Sequence, residues 1–201
     1  MRIGVFGGTF DPVHFGHLRP VEGAAAKFGL RRVVYVPARV SPHKGAPVTD
    51  SRHRVAMLAL ALAGRPDWIL SLCELDREAP SYTVDTLREL SAAHPGDELW
   101  LLMGTDVLAS FDRWKDPLEI VRLARIAAFQ REPFVGPAVR IPGVEGLRDR
   151  LEVFDAGSVK ISATELRKDL EGGVGAAGRV PEPVAEYITK QGLYGSGLAR
   201  R

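Results

Sequence analysis

Two histidines three residues apart, His14 and His17, close a glycine-rich stretch that reads Gly7-Gly8-Thr9-Phe10-Asp11-Pro12-Val13-His14-Phe15-Gly16-His17. That spacing puts both rings on one face of an opening helical turn. Imidazoles placed there can donate hydrogen bonds to oxygens that gain charge while a phosphoryl group is transferred. Gly7 and Gly8 let the backbone approach a ligand closely, and the helix start adds unpaired amides and the positive end of a dipole. Thr9 contributes a hydroxyl and Phe10 continues the turn. Gly16 keeps the histidine face open for a polyphosphate. The pattern is neither Gly-x-Gly-x-x-Gly nor a Walker loop, which excludes the dinucleotide fingerprint and the P-loop. The plain alternative is a pair of histidines that merely cap a helix. A zinc site could also begin at this spacing, but the chain offers no convincing third and fourth ligands.

Other stretches carry groups suited to anions or rings. Ser162 stands where a helix N-cap belongs, with Arg167 one turn on and able to reach an anion at that helix start. The alternative is a capped helix with a solvated arginine. Ser81-Tyr82-Thr83 opens another helix, whose amides favour a carboxylate over a neutral carboxamide. Asp85 in its first turn reads as structural. Trp114 offers a flat face to an aromatic ring, or belongs to the core. Lys44 in a loop and Arg131 past a strand are, taken alone, ordinary solvated cations. Cys73 reads as a small core residue rather than a nucleophile. Trp68 and Trp100 read as core, and His53 and His94 receive no role.

The elements that must position these groups alternate. Strands are expected at Ile3 to Phe6, Arg32 to Val36, Trp68 to Cys73, Leu99 to Met103, Ile126 to Phe129 and Leu151 to Phe154. Helices are expected at Phe15 to Phe28, Ser51 to Ala63 (capped by Asp50), Ser81 to Ala93, Pro117 to Leu123, Ala163 to Leu170 and Pro183 to Gln191. Pro20 is tolerable in the first helix only near its first turn. Ala38 to Thr49 reads as a mobile loop. This order predicts an α/β fold: a Rossmann-like open parallel sheet with helices on both faces and a small C-terminal helical part. Residues 1–194 form one domain in this reading, and 195–201 a flexible tail.

Composition narrows the function classes. The 201 residues are 45% hydrophobic and 26% charged, with 27 Lys and Arg against 25 Asp and Glu and a formal charge of +2. Such balance leaves no polybasic footprint for nucleic acid, so anion binding must be local. The longest apolar run, Val55 to Ala63, falls far short of the ~20 residues that cross a bilayer. No secretory leader is expected and a single cysteine suits a reducing compartment, so a cytoplasmic protein without membrane partners is predicted.

The eleven residues from Gly7 to His17 resemble the nucleotidyltransferase signature built on His-x-Gly-His, in the wording of bacterial nicotinate-nucleotide adenylyltransferases. Ile161 to Arg167 is similar to that family's Ile-Ser-x-Thr-x-Ile/Leu-Arg segment, Pro42-His43-Lys44 to its phosphate loop, and Ser81 to Thr86 to its Ser-Tyr-Thr-x-Asp-Thr segment. Gly104-Thr105-Asp106 resembles its Gly-x-Asp, and Phe111 to Lys115 its Leu-Pro-x-Trp-Lys, with Phe-Asp in place of Leu-Pro. The resemblance implies ATP and nicotinate mononucleotide as partners and magnesium carried in with ATP, with no metal site of the protein's own. It implies that His14 and His17 steady the α-phosphate and that Lys44 and Arg167 hold the outgoing pyrophosphate. Gly7, Gly8, Thr9, Phe10, Gly104, Asp106 and Ser162 would contact ATP, while Tyr82, Thr83, Trp114 and Arg131 would contact the mononucleotide. The alternatives are a sister enzyme that uses nicotinamide mononucleotide or phosphopantetheine, and a nucleotide-binding regulator without catalysis.

Overall fold

The computed structural model describes residues 1–42, 46–130, 139–157 and 160–196. Six strands form one sheet in the order β3-β2-β1-β4-β5-β6. They are β1 (Arg2–Gly8), β2 (Arg32–Pro37), β3 (Trp68–Leu70), β4 (Glu98–Gly104), β5 (Ala124–Gln130) and β6 (Leu151–Asp155). All neighbours pair in parallel. The helices are α1 (Phe15–Phe28), α2 (Ser51–Leu62), α3 (Cys73–Asp76), α4 (Thr83–Ala93), α5 (Thr105–Leu108), α6 (Pro117–Leu123), α7 (Leu147–Arg150), α8 (Ala163–Glu171) and α9 (Glu182–Lys190).

Side chains alternate across the sheet, as the two-residue period of a strand requires. From β4, Trp100 and Leu102 join one buried layer with Leu18 and Val21 of α1, Met57 and Leu58 of α2, and Ile188 of α9. Leu99, Leu101 and Met103 join the opposite layer with Leu87 and Leu90 of α4 and Ile120 of α6. Both faces are therefore covered, which is why the strands read as continuous apolar runs. After β1 the chain turns toward β2 and β3; after β4 it turns the other way, toward β5 and β6. The reversal falls between β1 and β4, where open α/β sheets leave a crevice at the carboxyl ends of the strands. Gly7 and Gly8 end one of these strands, and Met103 and Gly104 end the other.

Some expectations needed correction. The third strand stops at Leu70 rather than Cys73. It lies at the sheet edge with one neighbour, and the chain turns away to open α3 at Cys73. Cys73 is still a core residue, and burial pushes its thiol pKa up, away from nucleophilic use. Pro20 is the sixth residue of α1 and lies in the second turn, not near the first. It cannot donate to the Gly16 carbonyl, yet the helix runs on to Phe28, with Pro20 buried among the core-facing residues. Asp50 caps α2 as expected, its carboxylate accepting from the Arg52 amide. At the other end Ser196 Oγ donates to the Ile188 carbonyl at 3.0 Å, so residues 195 and 196 are held against α9 rather than frayed. Among the described residues no helix is long and apolar enough to cross a membrane.

Candidate active site

A cleft of about 750 Å³ opens at the carboxyl ends of β1, β2 and β4, with Gly7, Gly8, His17, Met103 and Gly104 among its walls. The first turn forms one end of it. A Cβ on Gly7 would meet no protein atom nearer than the Val36 carbonyl at 4.0 Å, so the missing side chain leaves room in the cleft. A Cβ on Gly8 would come within 3.0 Å of the Phe10 ring. Phe10 has φ +51° and is buried, its ring edge-on to Phe6 at 5.7 Å and to His17 at 5.2 Å. Its backbone, not its ring, is therefore what a ligand at this turn can meet.

His14 is the N-cap of α1 and is buried; His17, at the third helical position, is half-buried. Their rings stack with centroids 3.7 Å apart and planes 26° apart. The His14 backbone N–H donates to His17 Nδ1 at 3.3 Å. A neutral imidazole that accepts through Nδ1 carries its proton on Nε2. The capping reading is met by this ring, whose Nδ1 accepts from the N-cap amide, and the same side chain lines the cleft. Gly16 works differently from the expectation that it keeps the face open. A Cβ there would lie 2.9 Å from the His14 ring and 3.0 Å from the Ile161 carbonyl, so the space is already filled by protein. Glycine is required because α1 and the segment leading into α8 press together at this point.

That contact brings a second helix start to the cleft. Ser162 is the N-cap of α8, although its hydroxyl makes no capping bond; its carbonyl accepts from Leu166. Ser162 and Arg167 both line the cleft. Arg167 Nη1 donates to the Asp11 carbonyl at 2.7 Å, joining residues 156 positions apart in the chain. Two dipole ends and a guanidinium so converge on the first turn.

Beneath this turn lies a buried polar clamp that sequence reasoning did not assign. Asp11 is 3% exposed, and its Oδ2 accepts from the amides of Val48 (2.8 Å) and Thr49 (3.2 Å). Its Oδ1 accepts from Tyr194 Oη at 2.6 Å. Burial, then the hydrogen bond to Asp11, pushes the Tyr194 phenol well above its ordinary pKa, so it stays a donor. Arg54, 1% exposed, donates to the carbonyls of Thr9 (2.8 Å) and Ala38 (2.9 Å). Burial lowers its pKa and the nearby Asp11 carboxylate opposes that shift. The available sequence signal was Arg54 itself, a charge at core spacing beside Met57, Leu58 and Ala61 in α2. Pro42, Ala46 and Val48 of the following loop line the cleft. Lys44, between them, and Arg131 lie outside the described residues.

The far end is built from α4 and the segment after α5. Tyr82 is the N-cap of α4 and its side chain does not cap. Tyr82, Thr83, Trp114 and Lys115 line the cleft there, as do Gly104 and Asp106 at the start of α5. Trp114 packs against Phe111 with centroids 5.5 Å apart. Lys115 Nζ lies 4.4 Å from the Tyr82 ring centroid and 3.0 Å from Asp85 Oδ2. Asp85 also accepts from Arg88 at 3.2 Å, which agrees with its structural reading. Ten described residues from distant parts of the chain, predicted separately as ATP or mononucleotide contacts, thus line this one cleft: Gly7, Gly8, Thr9, Phe10, Tyr82, Thr83, Gly104, Asp106, Trp114 and Ser162. His14, His17 and Arg167 line it with them.

Residues 5–169 match the family described as cytidylyltransferase-like. A probable nicotinate-nucleotide adenylyltransferase of Dictyoglomus thermophilum is 37% identical over 196 residues, covering 96% of this chain and all of the relative. One of Herpetosiphon aurantiacus is 38% identical over 195 residues, covering 96% and 98%. This chain belongs to the nicotinate-nucleotide adenylyltransferase family. It is a nucleotidyltransferase. The fold agrees: the solved Plasmodium falciparum nicotinic acid mononucleotide adenylyltransferase complexed with NaAD superposes with a TM-score of 0.71 at 19% identity, covering 98% of each chain.

Proposed function

We propose that this enzyme transfers the adenylyl group of ATP to nicotinate mononucleotide, forming nicotinate adenine dinucleotide and pyrophosphate. The observation that carries the reading is a single cleft with two unlike ends. One end gathers two helix starts, two stacked imidazoles and a guanidinium on a glycine turn. The other offers a helix start flanked by tryptophan and tyrosine.

The reaction is a direct displacement. An oxygen of the mononucleotide's 5′-phosphate forms a bond to the α-phosphorus of ATP, and the bond from that phosphorus to the bridging oxygen of the β-phosphate breaks. The electron pair leaves with pyrophosphate. The nucleophile is already ionised, so no general base and no covalent enzyme intermediate are required; catalysis rests on alignment and charge neutralisation. The His17 imidazole and the amides around Thr9 steady the α-phosphate, with His14 holding His17 in place by stacking. Arg167, and Lys44 by its resemblance, hold the outgoing pyrophosphate. Magnesium enters with ATP, bound by phosphate oxygens and water, and supplies charge neutralisation there. Among the described residues no cluster of three or more His, Cys, Asp or Glu could hold a metal. At the far end the amides of Tyr82 and Thr83 donate to the pyridine carboxylate, Trp114 faces the ring, and Arg131 is assigned to the mononucleotide phosphate. A cytoplasmic setting fits this chemistry.

The test is pyrophosphate release from ATP with nicotinate and nicotinamide mononucleotides side by side, and with phosphopantetheine as a third acceptor. Preference for the nicotinate compound is expected. Preference for either of the others would overturn the acceptor assignment.

A further inference from the structure

Glu74 is the buried acid in the cleft for which the reaction has no use. It lies in α3, is 6% exposed, and lines the cleft beside Ser81, Tyr82, Thr83 and Thr86. Its Oε1 accepts from Thr86 Oγ1 at 2.7 Å, and the Ser81 hydroxyl also hydrogen-bonds the carboxylate. Ser81 Oγ accepts from the Arg39 amide at 3.0 Å, which leaves its own proton for Glu74. Thr86 Oγ1 likewise accepts from Arg77 Nη2 at 2.5 Å. The two hydroxyls flank the first turn of α4: Ser81 just before the N-cap, Thr86 one turn beyond it. Tyr82 provides no side-chain cap, so that turn depends on another hold, and Tyr82 and Thr83 line the cleft.

We propose that Glu74 is the positioning residue of the acceptor end, holding the first turn of α4 so that the Tyr82 and Thr83 amides meet the pyridine carboxylate and discriminate it from a carboxamide. The proposal rests on the acceptor reading given above. Its physical content is that a carboxylate accepting two hydroxyls fixes both sides of a helix start that the ligand itself must complete. Arg39 extends the hold by donating to the Leu75 and Arg77 carbonyls at 3.2 and 2.8 Å, anchoring the end of α3. Burial raises the Glu74 pKa, with the Thr86 and Ser81 hydrogen bonds and Arg77 opposing.

The test combines kinetics with amide shifts. Glu74→Ala is expected to raise the KM for nicotinate mononucleotide by about tenfold or more, the scale of one lost hydrogen bond to a charged group. The KM for ATP should stay within about twofold, and the preference for nicotinate over nicotinamide mononucleotide should fall. Glu74→Gln, which keeps an oxygen for Thr86, should recover most of the loss. Thr86→Val should reproduce the same split if Glu74→Ala fails to fold. Equal changes in both KM values, a fall in kcat alone, or a lower KM for nicotinate mononucleotide in any variant would overturn the proposal. In ¹⁵N-labelled parent enzyme, the Tyr82 and Thr83 amide signals should move on adding nicotinate mononucleotide. If they do not, the acceptor reading fails; if they move equally in Glu74→Ala, only the role of Glu74 fails.

Discussion

The two ends of the cleft are held by different means. At the phosphate end, backbone groups of the first turn and of the loop at Val48 and Thr49, the Arg167 guanidinium of α8 and the Tyr194 phenol of the C-terminal turn meet on Asp11 and Arg54, both nearly inaccessible. At the acceptor end, one helix start is secured by side-chain hydroxyls on Glu74, and the ring-facing residues Tyr82 and Trp114 are only half-buried. The difference teaches where precision is needed. Charge transfer at phosphorus demands donors fixed to within a fraction of an ångström, and a buried, fully bonded network supplies that. Recognition of a planar acid can rely on a helix dipole and stacking, which tolerate more adjustment.

Breaking the phosphate end should produce the largest effects. His17→Ala removes both the imidazole proposed to steady the α-phosphate and the cap on the His14 amide. Turnover should fall by more than ~100-fold, as when a transition-state donor is lost. Near-normal turnover would separate His17 from the chemistry. Gly16→Ala drives a methyl into the His14 ring and the Ile161 carbonyl. It should cost about 1–3 kcal/mol in stability and several-fold in kcat, read by chemical denaturation and steady-state kinetics. A neutral result would mean that α1 and α8 can part without harm.

Tyr194→Phe sharpens the comparison by removing one strut of the clamp and nothing that touches ligand. A loss of about 1–2 kcal/mol is expected, hence a Tm lower by roughly 2–8 °C, with little change in either KM. A selective rise in the KM for nicotinate mononucleotide would show the two ends to be coupled. The smallest effect concerns pH. Glu74 has a folded-state pKa raised above its unfolded value, so its contribution is fully present below the unfolded pKa and is lost as pH rises through the folded one. Glu74→Gln should therefore gain stability relative to the parent as pH rises from about 4.3 toward neutrality. Melting curves across that window showing a parallel offset would refute the assignment.

The strand–helix order, the ends of α1 and α6, and the glycine turn that lines the cleft were legible because each rests on local rules: apolar runs bounded by glycine and proline, caps, and a motif contiguous in sequence. The third strand was overextended because Leu70 to Cys73 is apolar enough for a strand, while pairing requires a neighbour that a sheet edge does not provide. Gly16 was read for the wrong reason because its close neighbour, the Ile161 carbonyl, lies far away in the chain. Asp11 was visible as part of the motif, but its function as a hub was not, since its partners come from residues 48, 49 and 194.

Composition and pattern by themselves determined an α/β sheet whose first strand ends in a glycine turn that opens a helix, because hydrophobic period and backbone chemistry act over a few residues. Which amides, carbonyls and hydroxyls would be buried together was decided only by the closed sheet and its crossovers. A buried hydrogen bond between Tyr194 and Asp11, or between Arg54 and Thr9, exists only once the intervening chain has folded and excluded water from both.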